Sequence, residues 1–212
     1  RMQPERRRAA ILEAAVAEIS ERGFARTTSR HVAARAGVTH GLLHHYFPDH
    51  DSLLAAAFEK MALEEIDEAN EALASDRDPL AQLREFTEPY GPGGGEEAYR
   101  FWLEAWAEAF HSPKLQETSR RLSVAWHELV VGVIERGIAA GVFHCEHPHE
   151  TAWMVVALSD AYALQTQIGS GLDPGEMNHV LWRLTERELG LEAGTLARPA
   201  SGESRPAVPS TH

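Results

Sequence analysis

Apolar residues recur at three- and four-residue spacing along most of the chain, and no segment alternates apolar and polar β-branched residues as a half-buried strand would. This single periodicity restricts the chain to an all-α fold. Proline and glycine divide it into about nine helices. The first runs from about Glu5 to Arg22, with Ile11, Ala15 and Ile19 on one stripe and Gly23 as its stop. Thr27, Thr28 and Ser29 offer caps for a short helix over about 30–36, and Gly37-Val38 turns the chain into another over about 39–46. A long helix over about 50–75 turns Leu53, Leu54, Ala57, Phe58, Met61 and Ile66 inward and a dense acidic face outward. Pro79, Pro113, Pro148 and Pro174 open later helices, while Gly141, Gly169 and Gly190 end them.

With 212 residues the chain has room for one or two domains, and its 43% hydrophobic and 25% charged content is that of a globular protein. The net charge of −12 is unevenly placed. Residues 1–50 hold eight arginines and five carboxylates, a balance of +3, and five of the twelve histidines; the rest carries −15. A basic head on an acidic body points to a local polyanion site and excludes a uniformly basic nucleic-acid coat. One cysteine, Cys145, supports no intrachain disulfide. No apolar run approaches the roughly 20 residues that span a bilayer, and none follows the N-terminal arginines as in a signal peptide. The expectation is a cytoplasmic protein with no membrane partner.

The most informative stretch is 27–54, TTSRHVAARAGVTHGLLHHYFPDHDSLL. Two short helices joined by Ala36-Gly37-Val38 have the dimensions of a helix-turn-helix. Val32, Ala33 and Val38 are small enough for close packing, and Leu43 and Phe47 tie the second helix to its neighbours. Thr39, His40, His44 and His45 remain as its polar face, with Gly41 permitting close approach. A short helix led by small polar residues fits the major groove of B-DNA. Ser29, opening the preceding helix, can offer a hydroxyl and backbone N–H groups to a phosphate.

The segment VAARAGVTHGLLHHYF, followed by DSLL, resembles the TetR-type family of bacterial transcriptional regulators over about residues 9–58. The resemblance implies a three-helix DNA-binding head (1–50), a helical ligand-binding and dimerisation body (51–190), and double-stranded operator DNA, a small-molecule effector and a second copy of the chain as partners. It places Ser29, Arg30, Thr39, His40, Gly41, His44, His45, Tyr46 and His50 at the DNA, with His40 and Gly41 nearest the bases and Ser29, His44, His45 and His50 nearest phosphates. His44 and His50 stand where the family usually has Tyr and Lys. Imidazole gains its charge between pH 5 and 8, so DNA affinity is expected to rise on acidification.

In the body, Phe86, Tyr90, Trp102, Trp106, Phe110 and Trp126 fall on successive helices, and Trp102 and Trp106 share a face. They are the candidate lining of a cavity for an apolar or aromatic effector, with core packing as the alternative. Helices 148–168 and 174–190 carry apolar residues around too much circumference for one buried face, which points to a twofold dimer reading a palindrome. Residues 191–212, rich in Pro, Ser, Gly and Ala, read as a disordered tail.

The run His144-Cys145-Glu146-His147-Pro148-His149-Glu150 holds metal-ligand types, but its spacing matches no standard site and Pro148 interrupts any shared helical face. His127-Glu128 lacks the second histidine of a metalloprotease helix, and the 91–95 glycines lack the Lys-Ser/Thr element of a phosphate loop. The expectation is therefore a non-enzyme with no cofactor and no assigned metal: a ligand-responsive regulator, most simply a repressor. A helical metal-dependent enzyme using 144–150, or a DNA-binding protein without ligand control, are the competing classes.

Overall fold

The computed structural model describes residues 3–73, 78–87, 96–171 and 173–197. Among them are nine helices and no strand: α1 (Pro4–Arg22), α2 (Ser29–Arg35), α3 (His40–Tyr46), α4 (His50–Leu73), α5 (Pro79–Thr87), α6 (Glu96–Ala109), α7 (Pro113–Ala139), α8 (Pro148–Gln167) and α9 (Pro174–Glu188). The caps explain several boundaries. Thr28 caps α2 by accepting from His31 N, Thr39 caps α3 by accepting from Leu42 N, and Asp49 Oδ1 accepts from Ser52 N at 2.7 Å to open α4. Ser112 and Asp173 cap α7 and α9, each followed by a proline that needs no N–H partner.

The helices α1 to α3 form a compact head around Ile11, Ala15, Ile19, Val32, Ala33, Leu43 and Phe47, all buried. At the turn between α2 and α3, Gly37 has φ +63, a conformation that a Cβ would strain. Val38 N then donates back to Ala33 O at 3.0 Å, closing the turn.

The helix α4 leaves the head and packs against α7, the longest helix; α6 and α8 flank α7, and α9 lies on α8. The core is continuous from head to body. Phe24 meets Phe58 edge to face at 6.0 Å, and Phe58 meets Trp102 at 5.1 Å. Gly137 in α7 is there for packing: an added Cβ would lie 2.0 Å from the ring of Phe143.

Residues 191–197, expected to begin the disordered tail, instead form turns against the body. Leu196 is buried, its N–H and that of Gly194 donate to the Glu186 carboxylate, and Arg84 donates to the carbonyls of Thr195 and Leu196. The partners are remote in sequence, so local composition carried no sign of them. No helix among the described residues is long and apolar enough to cross a membrane.

Candidate functional site

The head presents one polar face. Arg30, Thr39, His40, Gly41 and His45 are exposed, and His44 and Tyr46 are partly so. The His40 and His44 rings, one turn apart, meet edge to face at 4.4 Å, and His45 meets Tyr46 at 5.3 Å. A Cβ on Gly41 would touch nothing within 4 Å, so no neighbour within the chain requires glycine there. Ser29 departs from the expectation of an outward phosphate donor. It is buried, and its Oγ lies 3.2 Å from Nδ1 of the half-buried His50, so the two side chains tie the start of α2 to the start of α4.

Two arginines of the head serve structure. Buried Glu18 accepts from Arg22 Nε and Arg35 Nε, both at 2.6 Å, and Arg35 also reaches Glu21. The Arg35 hydrogen bond holds the Glu18 carboxyl below its usual range despite burial. Arg8 lies 4.9 Å over the Phe47 ring.

The second candidate site is a cavity in the body. It is a small cleft between α4, α5, α6, α7 and α8, part of it open to solvent. Phe86 (α5), Trp102 and Trp106 (α6) and Trp126 (α7) surround it, joined by Tyr99, Val156 and three polar residues, Ser123, Ser159 and Asp160, with Glu65 from α4. Phe86 and Trp126 meet at 5.8 Å and Trp102 and Trp106 at 5.7 Å. Phe110 takes no part; it falls just past the end of α6 and is 86% exposed. Tyr90 lies outside the described residues.

The acids are what the aromatic pattern did not announce. Glu65 Oε2 accepts from Trp102 Nε1 at 2.9 Å, yet burial outweighs that bond and pushes its carboxyl up to about 7. Burial raises the Asp160 carboxyl to about 7 as well. The Tyr99 hydroxyl is raised by burial first, then by the nearby Asp160 and Glu65 charges. Ser159 Oγ is buried and has no hydrogen-bond partner. In sequence Glu65 is one of many acids on α4, and only the α4–α6 packing distinguishes it.

Direct links join cavity to head. On α6, two residues beyond Trp102, Glu104 Oε2 accepts from Phe24 N at 2.9 Å and Oε1 accepts from Arg100 Nε. Its carboxylate occupies the place a Cβ would take at Gly23, whose φ is +81. Lys114 at the start of α7 donates to Asp49 Oδ2 at 2.5 Å and to Ser52 Oγ at 2.6 Å, and the Asp49 carboxyl is lowered to about 2 by that bond, with help from Ser52.

The 144–150 run does not converge. Cys145 Sγ lies 3.3 Å from Thr151 Oγ1, His144 N donates to Leu189 O, and His149 faces His127 across the α7–α8 seam.

Residues 11–57 match the family model of bacterial regulatory proteins of the tetR family, and residues 79–190, more than half of the chain, match the C-terminal domain of BetI-type transcriptional repressors. The chain belongs to the TetR family. It carries the helix-turn-helix of a transcriptional regulator and a BetI-type body. The HTH-type transcriptional regulator BetI of Yersinia pestis (strain Pestoides F) is 36% identical over 129 residues, covering 57% of this chain and 65% of that protein. BetI of Stenotrophomonas maltophilia is 34% identical over 122 residues, 54% of this chain and 60% of that protein. The chain thus spans somewhat under two thirds of the length of these curated relatives. A transcriptional regulator from Saccharomonospora viridis, solved in complex with choline, superposes with a TM-score of 0.72 at 25% identity, covering 88% of this chain and 98% of that one.

Proposed function

We propose that this TetR-family chain is a repressor that binds a palindromic operator as a homodimer and is released by a small quaternary ammonium cation of the choline type. The observation that carries the effector class is the cavity: five aromatic rings with two carboxyls, Glu65 and Asp160, among them. Aromatic faces attract a cation without hydrogen bonds, which is how a methylated ammonium is held, and each ring contributes about 0.5–2 kcal/mol. The carboxylates supply the countercharge, and the unpartnered Ser159 hydroxyl offers a hydrogen bond to a ligand hydroxyl. This reading replaces the apolar or aromatic effector expected from the rings alone. The choline found in the Saccharomonospora viridis regulator supports it.

Exposed Arg30, Thr39, His40, Gly41, His44, His45 and Tyr46 make the operator face, with His40 and Gly41 at the base edges. Ser29 and His50 position α2 and α4 from behind it. For the dimer, α8 and its C-cap leave Trp153, Ala157, Ala161, Leu164 and Ile168 exposed along one side, an apolar stripe on which one face of Trp153 is covered by His127. Val156 of α8 and Leu181 of α9 are buried within the protomer and lie outside that stripe. Effector binding moves α6 through Trp102 and Trp106, and Glu104 on the same helix transmits the shift to Phe24 in the head.

The test is calorimetry with choline and with its neutral carbon isostere, followed by choline titration of the chain bound to an operator selected from random DNA. The reading requires that choline bind in preference to the isostere and dissociate the complex. Equal binding of the two ligands rejects the cationic effector; tight choline binding with no change in DNA affinity rejects the coupling.

A further inference from the structure

Outside the cavity and the operator face lies a cluster that neither uses. His127 on α7 is buried, and its ring is stacked on Trp153 of α8 at 4.4 Å and 18°. Its Nε2 lies 3.1 Å from the backbone oxygen of His149. A carbonyl only accepts, so Nε2 carries the hydrogen, and in a neutral imidazole Nδ1 is then left as a lone pair. That lone pair lies 3.1 Å from Glu128 Oε1, which is also an acceptor when ionised. Two acceptors facing each other at this distance repel, and a proton or a bound cation between them relieves the repulsion. The His149 ring is the third member: one ligand atom from each of His127, Glu128 and His149 lies within 4.8 Å of the others.

We propose that His127, Glu128 and His149 form a divalent transition-metal site on the α7–α8 seam, taking zinc or another borderline first-row ion. Two imidazoles and one carboxylate are a donor set suited to such ions, with metal–ligand bonds of about 2.0–2.2 Å and remaining positions open to water. Bonds of that length bring the ligand atoms of a tetrahedral ion to about 3.3–3.6 Å of one another, so the group, whose atoms lie within 4.8 Å, contracts on binding. His127 is buried, while the Glu128 and His149 side chains are exposed and supply that movement by a change of rotamer. The Nε2–H to carbonyl bond has the form that orients metal-bound histidines, directing the opposite nitrogen at the ion. The Trp153 face holds the ring plane. The sequence conceals this site because the 144–150 run supplies only His149, and the other two ligands lie 21 and 22 residues earlier, on α7.

The experiment is calorimetric titration of the chelator-stripped full chain with zinc at about pH 7.5, where imidazole is mostly neutral. One equivalent per chain is expected. His149→Ala and Glu128→Gln, both at exposed positions and harmless to the core, each weaken binding by about tenfold or more. Trp153→Phe retains the zinc but loses the copper-induced quenching of tryptophan emission that a ring stacked on a ligand would give. Absence of saturable binding, or undiminished binding in the His149→Ala/Glu128→Gln double variant, overturns the proposal and leaves a proton as the bridging charge.

Discussion

Head and body handle charge in opposite ways. In the head, the buried carboxylate of Glu18 is fully compensated by Arg22 and Arg35, and the rings of His40 and His45 sit outside, on the proposed operator face. In the body, Glu65 and Asp160 are drawn into an aromatic cavity with no cation beside them, and both are raised to about 7. The first arrangement is finished within the chain. The second is open to completion by protons or by the cationic ligand proposed above. A satisfied ion pair holds a fold together, whereas an unsatisfied pair of acids stores a preference for a partner.

The contrast can be broken most sharply at Gly41. Gly41→Glu adds a side chain where the protomer has open space, so thermal stability should hold while operator affinity falls about a hundredfold in a mobility-shift titration. The body's counterpart is Gly137→Ala. It forces a methyl into the Phe143 ring and should cost about 2 kcal/mol in urea unfolding, with the DNA face chemically untouched. Next are Glu65→Gln and Asp160→Asn, each expected to reduce choline affinity about tenfold by calorimetry and leave operator affinity unchanged.

Acidity should then weaken effector binding in the body. Choline affinity rises severalfold between about pH 6 and pH 8 as the carboxyls ionise. Stability of the ligand-free body follows the same acids. A carboxyl raised in the folded state contributes fully below its unfolded value near pH 4, and that contribution is lost as pH climbs through about 7. Thermal stability without choline should therefore fall over that window, and Asp160→Asn should flatten the profile. The smallest effect is expected for Glu104→Gln, which keeps both ligands bound but reduces choline-driven release by about twofold to fivefold.

The fold was legible because its signals are local. Thr28, Thr39, Gly37 and the prolines cap, turn or open helices through their own backbone chemistry, and the helix limits of the head fall within a residue or two of those read from sequence. The cavity acids were not legible: Glu65 lies among the acids of α4, and Asp160 on a mostly apolar helix. Their distinction comes from packing by α6 and α8, a non-local fact. The same reason hid the Ser29–His50 pair, the reach of Arg84 to residues 195–196, and the contact of His127 with His149. Phe110 shows the opposite error, since aromatic type and helical spacing carried it one residue past the helix that would have turned it inward.

The open space around Gly41 has a consequence for how this protein can change. Of residues 39–41 only Thr39 supports the head, as the side-chain cap of α3; Leu43, Phe47, Val32 and Ile11 form the core, while His40 and Gly41 contribute nothing to it. With positions 40 and 41 reading the operator, as proposed above, lineages of this chain can acquire a new operator by substitution there without first acquiring spare stability, and can do so while the body cavity remains the same. The address and the signal are separately heritable.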